Sequence, residues 1–570
     1  MVNVQTFTVF AQDPSVKIAG RPVMATLSVP AEHISNGPTG YRVKVVDFDA
    51  TSGKFYPPIN YVMDSTGKVV DPFTTPRGDA TSAKWKKYFE TIIGSPAFHA
   101  QNVYAISMRT LARFEYALGR RISWGFNGHQ LHIAPHAFSQ ANAFYSRADR
   151  ALLFGYFRPR PGSKPVFACL SHDVVAHETT HAVLDGLRQR FMEPSGPDQA
   201  GFHEGFADIV ALLSVFALEE TIAALLSDGR KLKENATLKQ KDVTWDALSE
   251  STLLRLAEQM GNALSDGRMR ALRNSVLIKP SKSLLQQDAY LEAHSRGEIL
   301  VAAFMRSFLS IWVKRIEQLS VQEGNLRSLD LVVEQGARVA EHLLTMAIRA
   351  LDYSPPVDIS FADYLAALLT ADTELVPDDS RFEYRKTLVE VFRSFGIEPP
   401  AGKTTSNGVW NYFEAQTTHA RNHYESMLHD PEEVFRFIWE NRKTFELDDR
   451  GYTEVESVRA SRRVGPDGFI LRETIVEYIQ IASVWSGELK TRFDIDVPKE
   501  IPNTAKVRMF GGGTLVFDEY GKVKFHIAKP LGDVPRQSEK VQHLAKTGFY
   551  SNPTEELEPF AALHRARMGG

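Results

Sequence analysis

Hydrophobic residues follow a helical spacing through the middle of the chain and a strand-like alternation towards its beginning. The segments HEGFADIVALLSVFALEE (203–220) and LVVEQGARVAEHLLTMAIRAL (331–351) place apolar residues three or four positions apart, which is typical of amphipathic helices. In contrast, YRVKVVDFDATSGKFYPP (41–58) alternates apolar and polar residues before it breaks at glycine and proline. The pattern predicts an α+β protein, with short strands and turns first and helices through about residue 396.

The last part of the chain returns to strand signals. A polar stretch with proline and glycine, EPPAGKTTSNG, marks a boundary, and a short helical segment, DPEEVFRFIWENRK, follows it. GGGTLVFDEYGKVKFHIAK then has the pattern of a hairpin, and its GGG is expected to form a turn. These signals divide the chain into four regions: a β-rich region at 1–100, an N-terminal lobe at 101–185, a helical lobe at 186–397 and a C-terminal α+β domain at 410–570.

Bulk composition narrows the class of protein. A chain of 570 residues is long enough for two or three domains, and 43% hydrophobic with 24% charged residues is typical of a globular protein. The formal charge of -3 gives no support for a nucleic-acid or membrane partner. Cys169 is the single cysteine, so no intrachain disulfide can form, which fits a reducing compartment. With no recognisable signal peptide or membrane-spanning run, we expect a cytoplasmic protein.

One short segment carries a metal-binding pattern. In SHDVVAHETTHAVLDGL, His177 and His181 are four residues apart and project from one face of a helix. Two imidazoles at this spacing can hold one ion, and Glu178 can reach a water on that ion without binding the ion itself. The alternative is a buried helix that matches by chance, which happens on the order of once in thirty chains of this size.

The next predicted helix offers a third ligand. A catalytic zinc site uses three protein ligands and keeps a fourth position open for water. Glu204 and Asp208 lie four residues apart in HEGFAD, so one carboxylate can bind the ion while the other accepts a hydrogen bond from a ligating histidine. The alternative is a pair of solvated acids. The apolar sequence around them argues against it, because unpaired carboxylates are costly to bury.

From about residue 100 to 310 these segments resemble the thermolysin family of zinc endopeptidases. The resemblance implies that His177, His181 and Glu204 bind one Zn²⁺ ion. Glu178 is then the general base and proton shuttle, and Asp208 hydrogen-bonds a ligating histidine. The resemblance also implies a two-lobed peptidase fold, with a β-rich N-terminal lobe and a helical C-terminal lobe. The β-rich tail is an addition to that fold.

Two further segments fit the resemblance. ANAFYSRADRALLFGYF resembles the family's edge strand, which holds the extended substrate, and this implicates Asn142 and Ala143 in substrate binding. DAYLEAHSRGEILVAAF resembles the segment that carries the histidine stabilising the transition state. His294 is the candidate for that role, and Asp288 is its candidate orienter.

Some positions depart from the family pattern. Alignment of the glycine that follows places the family histidine at Ala293, so either a one-residue slip restores the geometry or His294 serves another purpose. Phe191 stands where the family has a tyrosine that binds the oxyanion, and it has no hydroxyl group. Tyr290 and Tyr145 are the candidate replacements.

Two more departures concern the metal sites. His203 replaces the family's Asn beside the third ligand, and we interpret it as a neighbour of the helix N-cap rather than as a group behind a ligand. The family's calcium site requires an acid where Val215 stands, which puts calcium binding in doubt although Asp173 is present.

The predicted function is a zinc-dependent endopeptidase acting on a peptide or protein substrate, with Glu178 taking the proton of a zinc-activated water. One alternative is a zinc aminopeptidase. Another is a catalytically weak peptidase scaffold that acts as a binding or regulatory protein. Neither the substrate nor the oligomeric state can be predicted from the sequence.

Overall fold

The computed structural model describes residues 4–551, except for 16, 19, 78–81, 228–235, 250–277, 322–323, 420–422 and 466. Parts of the predicted helical lobe and the last part of the predicted C-terminal domain, 552–570, therefore lie outside the described residues. The described residues form a mixed α+β structure, which confirms the class predicted from the hydrophobic pattern.

Short strands occupy the first 70 residues. They are β1 (Val4–Phe10), β2 (Met24–Pro30), β3 (Val43–Val45), β4 (Phe48–Asp49), β5 (Lys54–Phe55), β6 (Val62–Met63) and β7 (Val69–Val70). β1 and β2 form an antiparallel hairpin that packs on the second of two helices, α1 (Ala83–Ile93) and α2 (Pro96–Leu118). The prediction of strands and turns as far as residue 100 is therefore wrong after β7, because Phe89 and Ile92 lie at helical spacing and are buried in the core.

A five-stranded sheet follows α2 and contacts it. Besides β3 it contains β8 (Leu131–Phe138), β9 (Ala143–Ser146), β10 (Ala151–Phe157) and β11 (Val166–Phe167). β3 and β10 both run parallel to β8, whereas β9 and β11 are antiparallel to β10. The segment ISWGF, between α2 and β8, is irregular chain. It crosses the next helix so closely that a Cβ on Gly186 would lie 1.9 Å from the Ser123 carbonyl oxygen.

Helices dominate the following region. The first, α3 (His172–Leu187), contacts α2, β9 and α4, and Val174 is its one residue that is not fully buried. The others are α4 (Pro197–Phe216), α5 (Glu219–Leu226), α6 (Trp245–Leu248), α7 (Ala293–Glu317), α8 (Leu329–Arg349), α9 (Phe361–Leu375) and α10 (Tyr384–Ser394). Between them, β12 (Thr237–Lys239) and β13 (Leu326–Ser328) form an antiparallel pair. A helix buried on all sides, as α3 is, belongs to the core of a large protein.

Three glycines allow α4 and α7 to cross at very short distance. Gly201 and Gly205 lie on α4, and Gly297 lies on α7. A Cβ on Gly205 would be 2.8 Å from the Gly297 carbonyl oxygen, and a Cβ on Gly297 would be 2.8 Å from the Gly201 carbonyl oxygen. No side chain fits at these positions without a shift of backbone, so the glycines set the distance between the two helices.

The C-terminal region is built on one antiparallel sheet. Its strands, in spatial and chain order, are β14 (Tyr452–Val464), β15 (Ile470–Trp485), β16 (Lys506–Phe517) and β17 (Val523–Lys529). The helices in this region are α11 (Tyr424–Met427), α12 (Pro431–Glu440), α13 (Leu489–Phe493) and α14 (Val534–Lys546). The glycines expected to form a turn, Gly511–Gly513, lie inside β16 instead, while the turn to β17 is at 518–522. A Cβ on Gly511 would be 2.5 Å from the Leu531 backbone nitrogen, so this glycine serves close packing.

The C-terminal sheet joins the helical region through apolar and charged contacts. Ile475 and Phe525 belong to the same apolar cluster as residues of the preceding helices. Asp352, which follows α8, accepts two hydrogen bonds of 2.6 Å from Arg120, two residues after the end of α2, and is also paired with Arg463 of β14. Burial by itself raises the pKa of Asp352, but the two guanidinium groups hold it well below its usual range. One buried carboxylate thus connects three regions of the chain.

Within the part of the chain that the structure describes, no single helix has both the length and the apolar composition needed to cross a membrane. α4 and α5 meet these criteria only as a pair, and they are bent by 74° at the break between them.

We predict that Gly297→Ala lowers the free energy of unfolding by about 1–3 kcal/mol, the usual cost of adding an atom to a tightly packed contact. The midpoint of urea unfolding measures this loss. Gly487→Ala is the matched control, because its added Cβ would have the Asn503 carbonyl oxygen at 3.8 Å as its nearest neighbour, an ordinary contact. An unchanged midpoint for Gly297→Ala would contradict the close crossing of α4 and α7.

Candidate metal centre

The two histidines of the motif helix face each other. The Nε2 atoms of His177 and His181 are 2.8 Å apart, and the two ring planes are perpendicular. Both side chains project from the same face of α3, as positions i and i+4 must, and both residues are buried. Two ring nitrogens directed at one point are suited to a shared cation.

Hydroxyl side chains support α3 in the buried environment. Thr179 and Thr180 each donate a hydrogen bond of 2.7 Å to the backbone carbonyl one turn earlier, on Val175 and Ala176. The Thr179 hydroxyl also lies 2.9 Å from the hydroxyl of Ser107 on α2. These three buried hydroxyl groups therefore all have hydrogen-bond partners within the protein.

Glu204 approaches both histidines from α4. Its Oε2 atom is 3.7 Å from His177 Nε2, and its Oε1 atom is 3.9 Å from His181 Nε2. The candidate ligand atoms of the three residues all lie within 4.8 Å of one another. Because zinc binds nitrogen and oxygen at about 2.0–2.2 Å, a single ion among these atoms requires only small adjustments. Two imidazoles and one carboxylate are also a donor set that suits Zn²⁺.

Each histidine has a partner at its other ring nitrogen. His177 Nδ1 is 2.8 Å from Asp208 Oδ1, and His181 Nδ1 is 2.9 Å from His203 Nδ1. Burial lowers the pKa of His203 to about 4, so its neutral ring can accept the His181 Nδ1 proton. These contacts leave both Nε2 lone pairs for a metal ion. The interpretation of His203 as a neighbour of the helix N-cap is therefore wrong, since α4 begins at Pro197 and His203 contacts His181 instead.

The electrostatic environment of the centre favours a cation. Burial lowers the pKa of His177, but the neighbouring carboxylates of Asp208, Glu178 and Glu204 outweigh that effect, and the net pKa is raised. The three carboxylates therefore create a negative potential at the ring, which a metal ion would neutralise as well as a proton does.

Glu178 connects the motif helix to the sheet. Its side chain is completely buried, and its Oε2 atom accepts a hydrogen bond of 3.1 Å from the backbone N–H of Tyr145 in β9. The Tyr145 hydroxyl donates to Asp185 at 2.7 Å, near the other end of α3. Tyr145 thus holds two acids of α3. Its backbone N–H binds Glu178, and its hydroxyl binds Asp185.

The predicted substrate-binding residues lie at the start of this strand. Ala143 opens β9 and pairs with Phe154 of β10. The Asn142 carbonyl oxygen accepts a hydrogen bond of 2.8 Å from Gly155 N–H, and a Cβ on Gly155 would be 2.7 Å from that oxygen. Asn142 and Ala143 are therefore held on the strand that also contacts Glu178, at an edge of the sheet.

His294 comes from α7 and reaches the centre. Its Nε2 atom is 3.2 Å from Glu204 Oε2, and its Nδ1 atom is 2.7 Å from Glu292 Oε1. Burial lowers the pKa of His294, but Glu204 and Glu292 outweigh it and raise the pKa to about 9. The structure thus brings His294, rather than Ala293, to Glu204. The prediction that Asp288 orients His294 is wrong. Asp288 is exposed on a short turn, and Glu292 contacts the His294 ring instead.

Glu292 has two functions at the beginning of α7. As the N-cap residue it accepts a hydrogen bond of 2.9 Å from Ser295 N–H, and its other carboxylate oxygen contacts His294. Burial raises the pKa of Glu292, but its bonds with His294 and the backbone lower it to about 2. Glutamate is not among the residues favoured at a helix N-cap, so the sequence carries no clear signal for this role.

The position expected to hold an oxyanion tyrosine is part of the core. Phe191 is 2% exposed and its ring packs edge-on against Phe202, with centroids 5.6 Å apart. Of the two candidate replacements, Tyr145 directs its hydroxyl to Asp185. Tyr290 is half-buried, and its backbone carbonyl accepts a hydrogen bond from Arg296.

The positions discussed for calcium are both buried. Val215 is an apolar core residue of α4, and Asp173 lies in the first turn of α3 near a second buried acid, Asp13. Burial and the charge of Asp13 raise the pKa of Asp173 to about 7.

No protein-family model matches this chain, and no curated protein shows significant similarity to it. The assignment of a function therefore depends on the geometry described above.

We predict that Asp173→Asn stabilises the protein at neutral pH and has little effect below pH 4. The raised pKa means that folding favours the protonated acid, so the wild type loses stability as the pH rises from 3.8 to about 7. The free energy of unfolding falls by at most about 1.4 kcal/mol per pH unit in this range, and Asp173→Asn removes this pH dependence. Urea unfolding at several pH values measures the difference. Asp496→Asn, with a side chain 89% exposed, is the control. A gain that does not vary with pH would refute this explanation.

Proposed function

We propose that this protein is a zinc-dependent peptidase that hydrolyses internal peptide bonds. The observation that carries the proposal is the convergence of His177, His181 and Glu204 within 4.8 Å, beside a buried Glu178 of the same helix. Glu178 accepts a hydrogen bond from an edge strand, Ala143–Ser146, and is therefore held beside the strand along which we propose that a peptide binds. A set of metal ligands, a candidate base and an edge strand thus lie next to one another.

The architecture around the centre supports a two-lobed peptidase fold. The β-rich part of the chain precedes α3 and contributes β9, while the helical part follows α3 and contributes Glu204 and His294. α3 contacts elements of both parts, so its ligands lie between them. In this proposal the C-terminal sheet is an addition that packs on the helical part.

The chain's own residues provide the base. His177, His181 and Glu204 would hold a zinc ion, which would supply a Lewis acid and lower the pKa of water at the site. Glu178 takes a proton from the attacking water on its carboxylate and passes this proton to the nitrogen of the leaving amine. The Tyr145 N–H holds the carboxylate in one orientation during both transfers.

Substrate would bind along β9 as an added strand. Such binding uses main-chain hydrogen bonds for affinity and side-chain contacts for specificity. The tight contact between Asn142 and Gly155 holds the first residues of β9 in a fixed conformation. Asn142 and Ala143 are then the residues that position the peptide relative to Glu178.

His294 has a position suited to charge stabilisation. Its raised pKa keeps the imidazole protonated at neutral pH, so it can donate a hydrogen bond at Nε2. In the described geometry that donor faces Glu204, and Glu292 fixes the ring from the other side. We propose that His294 stabilises negative charge that develops near Glu204 during hydrolysis.

We predict that the wild type cleaves a diverse peptide library at internal bonds, whereas Glu178→Gln loses cleavage by at least about 100-fold because the base is missing. Mass spectrometry of the digests gives the cleavage positions. Glu178→Gln should keep its fold and zinc, and Glu219→Gln, at an exposed position, should cleave normally.

An N-terminally acetylated copy of the library distinguishes the two peptidase types, since an endopeptidase still cuts it. Cuts restricted to free amino termini would replace the proposal with an aminopeptidase. Absence of any cut by the zinc-loaded wild type would favour a binding scaffold. Retained turnover in Glu178→Gln would eliminate the mechanism.

We predict that His181→Ala loses both cleavage and the equivalent of zinc that belongs to this centre, because two protein ligands bind zinc weakly. The zinc content of the protein is measured by elemental mass spectrometry after gel filtration. His33→Ala removes an exposed histidine and should change neither quantity. A full complement of zinc in His181→Ala would exclude this residue from the ligand set.

We predict that His294→Gln lowers kcat by about 100- to 1000-fold with little change in KM, as expected for a donor that acts in the transition state. Glu292→Gln should cause a smaller loss, of about 10-fold or more, because it leaves the ring without its partner. Asp288→Asn is the control and should behave as wild type. A larger effect of Asp288→Asn than of Glu292→Gln would contradict the contacts described here.

A further inference from the structure

A second group of metal-binding side chains lies outside the proposed peptidase centre. His99 on α2, His136 on β8 and Cys169 on the turn before α3 are all buried, with exposed fractions of at most 1%. Their candidate ligand atoms lie within 4.8 Å of one another, and His99 Nδ1 is 2.8 Å from His136 Nε2. Three elements far apart in sequence therefore bring two imidazoles and the chain's single cysteine to one point.

The outer contacts determine which ring nitrogens carry protons. His99 Nε2 is 2.9 Å from the Ile93 backbone carbonyl oxygen, which can only accept, so the His99 proton is on Nε2. His136 Nδ1 is 2.7 Å from Asp47 Oδ2, which accepts the proton of that nitrogen. In the neutral rings, His99 Nδ1 and His136 Nε2 are therefore both lone-pair atoms.

Two lone pairs 2.8 Å apart repel each other unless a cation lies between or beside them. The cation is either a proton shared by the two rings or a metal ion. Cys169 decides between these, because a sulfur atom within 4.8 Å of both nitrogens adds nothing to a shared proton but is a strong ligand for a metal.

The peptidase centre offers an internal comparison. There too the facing nitrogens of two histidines are 2.8 Å apart, a carboxylate contacts the far nitrogen of one ring, and a third ligand residue is nearby. In the second cluster Asp47 takes the place of that carboxylate and Cys169 that of the third ligand. The two clusters thus share a pair of facing ring nitrogens and a carboxylate at one outer nitrogen, although the other outer partner is His203 in one and the Ile93 carbonyl in the other.

Aromatic rings cover the buried side chains of the second cluster. The rings of Tyr56 and Phe167 pack against His136 at centroid distances of 4.7 and 5.3 Å, and Phe167 also packs against His99 at 4.6 Å. A metal ion here would have no open path for a substrate, which is characteristic of a structural rather than a catalytic site.

We propose that His99, His136 and Cys169 bind a second transition-metal ion with a structural role. Two imidazoles and one thiolate suit ions that accept sulfur and nitrogen, namely Zn²⁺ or Cu⁺. Binding replaces the Cys169 thiol proton, which is released to solvent. The ion connects α2 and β8 to the residue that lies just before α3, and so it fixes the start of the motif helix.

The test uses cobalt, which takes zinc sites and reports on their ligands. The wild type is produced in zinc-depleted medium with cobalt, so that both sites fill during folding. A thiolate-to-cobalt charge-transfer band in the near ultraviolet is expected, and it can come only from Cys169 because the chain has no other cysteine. His181→Ala should retain this band, which separates the second site from the peptidase centre. A cobalt-loaded wild type without the band would overturn the proposal.

Metal analysis of protein purified from ordinary medium provides an independent measurement. The wild type is expected to hold about two equivalents of metal, and Cys169→Ser and His99→Gln about one, with the peptidase equivalent retained. The wild type is also grown with copper. If its second equivalent is then copper, and both variants lose it, the ion is identified as Cu⁺. A wild type whose metal content is unchanged by Cys169→Ser would overturn the proposal, even if the His99→Gln variant fails to fold.

Discussion

The close contact between α4 and α7 determines the geometry of the candidate centre. Gly205 and Gly297 meet backbone to backbone. Gly205 directly follows Glu204, and Gly297 lies about one turn after His294. A larger residue at either position would separate the helices and remove His294 Nε2 from its 3.2 Å contact with Glu204 Oε2. Functional geometry here depends on residues that have no side chain.

Burial of charge is the second constraint, and the structure solves it in two ways. Asp352 pairs with guanidinium groups from two other regions of the chain, and its charge is neutralised within the protein. Around α3, by contrast, the carboxylates of Glu178, Glu204 and Asp208 surround imidazole rings and leave a negative potential. A bound cation would neutralise this negative potential. This contrast distinguishes the structural ion pairs from the proposed metal centre.

Sequence patterns were most informative where one helix contained the whole signal. The spacing of His177 and His181 fixes their common face, and the burial of Glu204 follows from the apolar residues around it. Contacts between elements were harder to predict. Asp288 was chosen for its position in a family-like segment, yet Glu292 is the acid on the same turn as His294. The glycines at 511–513 have the composition of a turn, but they lie inside β16, where Leu531 approaches Gly511 and the Tyr478 backbone approaches Gly512.

The sequence by itself determined the α+β class, the motif helix and the spacing of its candidate ligands, because these depend on local periodicity and on residues within one or two turns. Only the tertiary structure decided which groups contact the candidate ligand His181 and the candidate base Glu178, since His203 and Tyr145 reach α3 from a helix and a strand packed against it. The cluster of His99, His136 and Cys169 was invisible for the same reason. Its members are separated along the chain, and packing alone brings them together.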